Sequence, residues 1–152
     1  MNEITTLKRT ETLEVFLIGF ESNVFRKFTP PPSKDANFYF FNQFNNASSA
    51  LAQLTECCAP HSESKLPYAI LCHYQVLKKD NFQLIQQIHQ NPRLREVPFV
   101  LFSEQPVDEQ AHQLLQMGID DCYINEVSWQ DLSKRLGFLA KFKANMLHTP
   151  IN

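Results

Sequence analysis

Short apolar runs alternate along the chain with longer stretches of helical periodicity. The apolar runs are rich in β-branched and aromatic residues and are bounded by turn-forming residues, a pattern typical of strands. They predict five strands, over residues 12–20, 37–41, 67–72, 98–102 and 121–124. Because several of these runs are almost continuously apolar, we expect both faces of the sheet to be covered.

The stretches between the strands place apolar residues three and four positions apart, as on one face of a helix. They predict helices over residues 47–58, 80–90 and 108–117, and a last helix from Trp129 onwards. Asp80 is the predicted N-cap of the second of these helices, and Gly118 closes the third. A further helix is expected to begin within residues 21–28 and to end before the three prolines at 30–32.

Regular alternation of strands and helices predicts the order of the sheet. Parallel strands need crossover connections, which helices supply, and right-handed crossovers leave few topologies open. Five such units predict an α/β fold with a doubly wound, five-stranded parallel sheet, flavodoxin-like in its order 2-1-3-4-5, within a three-layer α/β/α arrangement. A site is expected at the carboxyl ends of the first and third strands, around residues 19–21 and 73–75.

Composition narrows the class of protein further. The chain has 152 residues with 43% hydrophobic and 20% charged side chains, which fits one globular domain. A formal charge of −2 gives no electrostatic reason to expect nucleic acid or a membrane surface as a partner. The polar start of the chain and the short apolar runs predict a cytoplasmic protein. The four cysteines, Cys57, Cys58, Cys72 and Cys122, are therefore expected to be free thiols.

Three segments of the second half together resemble one family. Residues 80–97 (DNFQLIQQIHQNPRLREV), 98–103 (PFVLFS) and 116–124 (QMGIDDCYI) are similar to the third helix, fourth strand and fifth-strand entry of response-regulator receiver domains, the CheY-like family. With the five-unit pattern, the resemblance covers roughly residues 13 to 145. It suggests an extension over residues 1–12, a receiver-like domain over 13–148, and a tail or linker start over 149–152.

The resemblance implies a phosphorylation site whose chemistry has been lost. Receivers use an acceptor carboxylate, an acidic pair that holds Mg²⁺, a hydroxyl residue and a lysine. Position by position, the acceptor falls on His73, the acidic pair on Gly19 and Phe20 (or Glu21 after a one-residue slip), and the lysine on Asn125. Only the hydroxyl is kept, as Ser103. We therefore expect a degenerate pseudo-receiver with no catalytic residue, no metal and no cofactor.

Other roles for these residues remain open at this stage. His73 could itself accept phosphate, and Asp80 would be the acceptor if the alignment were shifted. Nucleophilic catalysis by Ser103 with His73 lacks both a third member and a nucleophile elbow. A metal site is disfavoured because the spacing of its candidate ligands does not match structural zinc sites; they are Cys57, Cys58, His61, Cys72 and His73.

A different class of function would use the same crevice. A small-molecule or phosphate-binding domain, or an enzyme, would need convergent polar groups there. The sequence offers a short set, namely His73, Gln75, Ser103, Asn125 and Glu21. No glycine-rich phosphate loop supports this alternative, since the chain has only 3 glycines.

The last helix carries apolar residues past the expected end of the domain. In receivers the fourth and fifth helices often mediate dimerisation, so the resemblance suggests a homodimer through these helices. The interface candidates are Leu136, Leu139, Phe142 and Met146. We expect a regulatory domain of bacterial two-component-type signalling, forming the N-terminal part of a larger protein. Its partner would be another protein or an attached output domain.

Overall fold

The apolar runs form one parallel sheet in the computed structural model, which describes residues 12–20, 38–60 and 65–148. Its strands lie in the order β2-β1-β3-β4-β5, and every neighbouring pair is parallel. The bounds are β1 Thr12–Ile18, β2 Phe38–Phe44, β3 Ala69–His73, β4 Phe99–Ser103 and β5 Asp121–Ile124. The predicted order is confirmed. The second strand, however, continues through two polar residues to Phe44, and these residues pair with Phe16–Ile18 of β1. Asn42 also donates a side-chain hydrogen bond to Glu14 of β1.

Five helices connect or follow the strands within the described residues. They are α1 Ala47–Cys57, α2 Tyr74–Lys79, α3 Gln83–Gln90, α4 Ala111–Met117 and α5 Trp129–His148, and a 3-10 turn covers Leu94–Glu96. The helix predicted within residues 21–28 lies outside the described residues. The helix predicted from residue 108 begins only at Ala111, where Gln110 donates its backbone N–H to the Gln113 side chain.

The connection from β3 to α3 differs from the prediction. Sequence periodicity predicts one helix from Asp80, but α2 intervenes and α3 begins three residues later. Asn81 and Phe82 both have positive φ, 57° and 59°, which breaks the helix between them. Asp80 still caps α3 from a distance, because its carboxylate accepts the Leu84 backbone N–H at 2.7 Å.

Both faces of the sheet are covered, as the continuous apolar runs predict. Alternate strand residues point to opposite faces. One set packs against α1, α2, α3 and α4 and includes Phe16, Ile18, Ile70, Cys72, Phe99 and Leu101. The other set packs against α5 and includes Val15, Leu17, Ala69, Leu71, Val100 and Phe102. Sheet and helices therefore make a three-layer α/β/α structure.

Paired charges attach α5 to the amino end of the sheet. Lys143 donates to the Asp120 carboxylate at 2.9 Å and to the Val97 carbonyl at 3.1 Å. The same carboxylate accepts the backbone N–H of Phe99, the first residue of β4, at 2.8 Å. Arg135, nearer the start of α5, pairs with Asp121 at 2.8 Å. The carboxylates that follow Gly118 in the sequence therefore secure the last helix.

Two sequence expectations about chemistry can be checked on the fold. All four cysteines are free thiols, as expected. Within the part of the chain that the structure describes, no helix combines the length and apolar character needed to cross a bilayer.

Candidate functional site

The carboxyl ends of β1, β3 and β4 bring together the residues that the sequence analysis singled out. Gly19 and Phe20 follow β1, His73 ends β3 and Ser103 ends β4. We call this group, with Val76 of α2, the switch-point cluster. Glu21, the alternative acidic position, lies outside the described residues.

Gly19 occupies a position that only glycine fits well. Its φ is +89°, and its N–H donates to the Phe44 carbonyl at 2.8 Å. A Cβ at this position would lie 2.5 Å from Cγ2 of Val76 and 3.1 Å from Cβ of His73. Both the backbone conformation and the neighbouring side chains therefore exclude an acidic side chain here.

Phe20 turns the second acidic position into part of the core. Its ring meets Phe102 edge-on at 5.4 Å between centroids, and Phe102 stacks on Tyr123 at 5.6 Å. Phe20 packs against the apolar cluster that α5 covers. Three aromatic side chains thus lie side by side at the carboxyl ends of β1, β4 and β5.

His73 acts as a structural cap in this cluster. Only 2% of the residue is exposed, and its Nδ1 accepts the Gln75 backbone N–H at 3.1 Å, so it is the N-cap of α2. An accepting Nδ1 is unprotonated, which places the proton of the neutral ring on Nε2. Burial lowers the pKa of this imidazole, and the nearby Glu104 carboxylate partly opposes that shift. The fold therefore favours neutral His73.

Ser103 and Asn125 form local backbone hydrogen bonds and do not face one shared open site. The Ser103 hydroxyl donates to the Gln105 carbonyl and accepts the Gln105 N–H, so it closes its own turn. Asn125 has φ 74° and donates its backbone N–H to the Ser103 carbonyl at 2.8 Å. Asn125 is exposed whereas Ser103 and His73 are buried, so the three do not line one open crevice.

A cavity of about 400 Å³ lies beside the cluster, between the β2–α1 connection and α2. Val76, which fills the space beside Gly19, forms one wall. Of the polar residues expected in the crevice, only Gln75 is among the lining residues, which are Asn45, Asn46, Ala47, Ser48, Gln75, Val76, Lys79 and Asp80. His73, Ser103 and Asn125 do not line this cavity.

The metal-ligand candidates do not converge. No group of three or more His, Cys, Asp or Glu side chains among the described residues could hold a metal ion. His61 lies outside the described residues. Burial strongly raises the pKa of the Cys72 thiol, which suits an apolar core residue and not a metal ligand.

The interface candidates on α5 divide into two groups. Leu136 and Leu139 are buried against the sheet, so their assignment to a surface is wrong. Phe142 is 48% exposed, and its ring stacks on that of Phe138 at 5.9 Å. Met146 lies on the helix, but its side chain is outside the described part. Phe138 was missed by the sequence analysis, although it lies four residues before Phe142 on the same helix stripe.

Comparison with solved structures identifies the fold. The phosphorylated cyanobacterial phytochrome response regulator RcpA has a TM-score of 0.54 and 17% identity, covering 92% of this chain and 97% of its own. A response regulator from Desulfuromonas acetoxidans has a TM-score of 0.55 and 18% identity, with 86% and 98% covered. The receiver domain of a Pseudomonas aeruginosa sensor histidine kinase, solved with magnesium in its active-site cleft, has a TM-score of 0.56 and 14% identity, with 86% and 98% covered.

These similarities show that the chain has the fold of response-regulator receiver domains. No family model matches its sequence, and no curated protein matches it either. The similarity is therefore structural, and the residues at the carboxyl edge of the sheet must carry any argument about function.

Proposed function

We propose that this chain is a receiver-like regulatory domain of two-component-type signalling that acts through protein contacts without being phosphorylated. It would serve as the N-terminal part of a larger bacterial cytoplasmic protein and would not be an enzyme. The receiver fold supports the signalling role. The residues of the switch-point cluster support the absence of phosphorylation.

The single observation that carries the proposal is the packing around Gly19. Phosphorylation in receivers needs Mg²⁺ held by hard oxygen ligands after the first strand. Here the backbone of Gly19 lies against Val76, and the next side chain is a phenyl ring packed on Phe102. These positions supply no carboxylate oxygen, so the described residues do not fit Mg²⁺.

The acceptor position supports the same conclusion. An acyl phosphate forms on a carboxylate, and His73 has none. The Nδ1 of His73 already accepts the first amide of α2, and the residue is buried. A phosphohistidine on this atom would break the cap, which costs about 1 kcal/mol, and would place a charged group in the core.

An exposed aromatic pair on α5 supports the protein-binding role. Phe138 and Phe142 are 54% and 48% exposed and their rings stack at 5.9 Å between centroids, and we call this pair the α5 patch. Arg135 lies over the Phe138 ring at 5.2 Å, so the patch has both apolar and cationic character. We propose a homodimer, or a contact with an attached output domain, through this patch.

The decisive experiment is intact-mass measurement after incubation with acetyl phosphate and Mg²⁺. We expect no added phosphoryl group, whereas a receiver with an intact acidic cluster, treated in parallel, is expected to gain one. A stable adduct would contradict the proposal. An adduct that survives alkali but not acid would assign the phosphate to histidine, and one that neutral hydroxylamine removes would assign it to a carboxylate.

His73→Asp is the matched variant for this test. It restores a carboxylate at the acceptor position but leaves the acidic pair missing, so it is also expected to stay unmodified. Magnesium-dependent phosphorylation of His73→Asp would show that the cation site exists and would overturn the argument from Gly19 and Phe20.

The patch is tested separately by light scattering after gel filtration. Phe138→Glu is expected to abolish self-association because it places a charge in an apolar contact. Phe40→Glu, a substitution of another exposed phenylalanine on the edge strand β2, is the control. If the Phe138→Glu variant still self-associates, the α5 patch does not mediate self-association.

The alternative function is binding of a small polar ligand in the cavity beside α2. That cavity is lined by amide and hydroxyl groups, the Lys79 ammonium and the Asp80 carboxylate, which favour a small hydrogen-bonding molecule. Titration with inorganic phosphate, followed by amide NMR shifts, tests it. Saturable shifts at Ser48 and Gln75 would support this alternative, and unchanged spectra would exclude phosphate.

A further inference from the structure

Residues 104–110, which we call the strap, connect β4 to α4 without forming a helix or strand. Its first turn is closed by the Ser103 hydroxyl, which bonds both backbone groups of Gln105. Its far end is fixed by the bond from the Gln110 N–H to Gln113. Between these ends, side chains of α2 hold the strap.

Tyr74 makes the central contact. Its residue is only 3% exposed, yet its hydroxyl reaches two consecutive residues of the strap. It donates to Oε1 of Glu109 at 2.8 Å and accepts the backbone N–H of Asp108 at 3.4 Å. One hydroxyl thus uses both its donor and its acceptor capacity across 34 residues of sequence.

Lys78 adds a second contact one turn along α2. Its ammonium pairs with the Asp108 carboxylate and lies 5.6 Å from the centre of the Tyr74 ring. Both partners of this ion pair are well exposed, so the pair is expected to contribute little. The part-buried bond from the Tyr74 hydroxyl to its charged acceptor is the stronger of the two contacts.

The strap lies next to the buried polar residues of the switch-point cluster. Glu104, its first residue, is close enough to His73 for its charge to raise that pKa against the effect of burial. His73 and Ser103 are the two buried polar residues in the described part of the chain. His73 ends β3 and Ser103 ends β4, and the strap begins directly after Ser103.

We propose that Tyr74 is a latch that keeps the strap closed over the ends of β3 and β4, and that releasing it exposes His73 while the sheet stays folded. The device needs no phosphoryl group. It is independent of the proposed function, because it concerns an opening of this chain whether or not the domain is ever phosphorylated.

Hydrogen exchange on the full chain tests the latch. Loss of a part-buried bond to a charged acceptor corresponds to about a tenfold change in an opening equilibrium. In Tyr74→Phe we therefore expect the hydrogen-bonded strap amides, those of Gln105, Asp108 and Gln110, to exchange about tenfold faster, with the amides of β3 and β4 unchanged. Lys78→Ala is expected to have a smaller effect because its ion pair is exposed.

Tyr68→Phe is the matched control, since Tyr68 packs on the opposite, α5 face of the sheet. It should leave strap exchange unchanged. Equal strap exchange in Tyr74→Phe and the wild type would overturn the latch, and so would uniform acceleration across the sheet. Glu109→Ala removes the acceptor from the other side of the bond without altering the core, and it should reproduce the effect of Tyr74→Phe.

Modification by diethyl pyrocarbonate gives a second readout. His73 is buried in the latched state, whereas His89 and His112 are exposed and serve as internal standards. Tyr74→Phe is expected to raise the modification rate of His73 several-fold relative to these two histidines. An unchanged ratio would contradict the claim that the strap covers His73.

Discussion

The two ends of the sheet use polar residues in opposite ways. At the amino end, Asp120 and Lys143 form an ion pair with side chains 17% and 14% exposed, and backbone groups of Phe99 and Val97 complete their hydrogen bonds. At the carboxyl end, Gly19, Phe20 and His73 present a bare backbone, a packed ring and a neutral cap. Charged side chains therefore have a structural role at the amino end, whereas Gly19, Phe20 and His73 at the carboxyl end carry no charge.

This difference separates fold from function. Open parallel sheets bind their ligands beyond the carboxyl ends of the strands, so residues there can change a protein's chemistry without changing its fold. The amino end has no such role, and its ion pair secures the last helix. The chain has the fold of receiver domains, and the residues at its carboxyl edge pack against the core.

Gly19→Asp, which introduces an acidic residue at the carboxyl end, gives the largest expected effect on the free energy of unfolding. The positive φ and the 2.5 Å approach of the new Cβ to Val76 both oppose it. Together, backbone strain and overpacking should lower the free energy of unfolding by about 3 kcal/mol or more. Urea denaturation measures this.

Gly137→Ala is the matched control for Gly19→Asp. The nearest atom to its new Cβ is 3.9 Å away, and the residue lies inside α5. Helix propensity predicts that this change stabilises the protein by up to about 1 kcal/mol. If the two variants had equal free energies of unfolding, the carboxyl end would accommodate an acidic side chain at position 19.

Lys143→Met tests the amino end and should have the next largest effect. The variant leaves the mostly buried Asp120 carboxylate without its cationic partner. We therefore expect the free energy of unfolding to fall by about 2 kcal/mol. Lys141→Met, an exposed change on the same helix, should be nearly neutral. Equal unfolding free energies for the two variants would mean that the ion pair does not secure α5.

The sequence predicts the sheet better than the site. Strand order follows from continuous apolar runs and crossover geometry, both of which are local or general. Helix α2 escapes prediction because it has six residues and its cap is a histidine, which is not among the usual N-cap residues. The packing of Val76 against Gly19 depends on tertiary structure, so no sequence pattern signals it.

The error on α5 has a different cause. Leu132, Leu136 and Leu139 follow one helix stripe and face the sheet, whereas Phe138 and Phe142 follow a neighbouring stripe and are exposed. Apolar character alone groups all of them together. Spacing of three and four residues does not separate the two sets, because Phe142 lies three residues after Leu139. Only the burial of each side chain in the folded chain distinguishes them.

His73→Asn has the smallest expected effect on the free energy of unfolding. It tests whether the stability of the carboxyl end depends on a neutral imidazole. Its pKa lies below the ordinary 6.5 when folded, chiefly through burial, so the unfolded state binds more protons as pH falls through that range. The stability from neutral His73 is fully present above pH 6.5 and is lost progressively as pH falls towards the lowered folded-state pKa. In His73→Asn the side-chain oxygen can still accept the Gln75 N–H, a bond of about 1 kcal/mol, but cannot titrate. Unfolding free energies of both proteins across this range should diverge at neutral pH and converge in acid. A constant difference between them would show that ionisation of His73 is not coupled to folding.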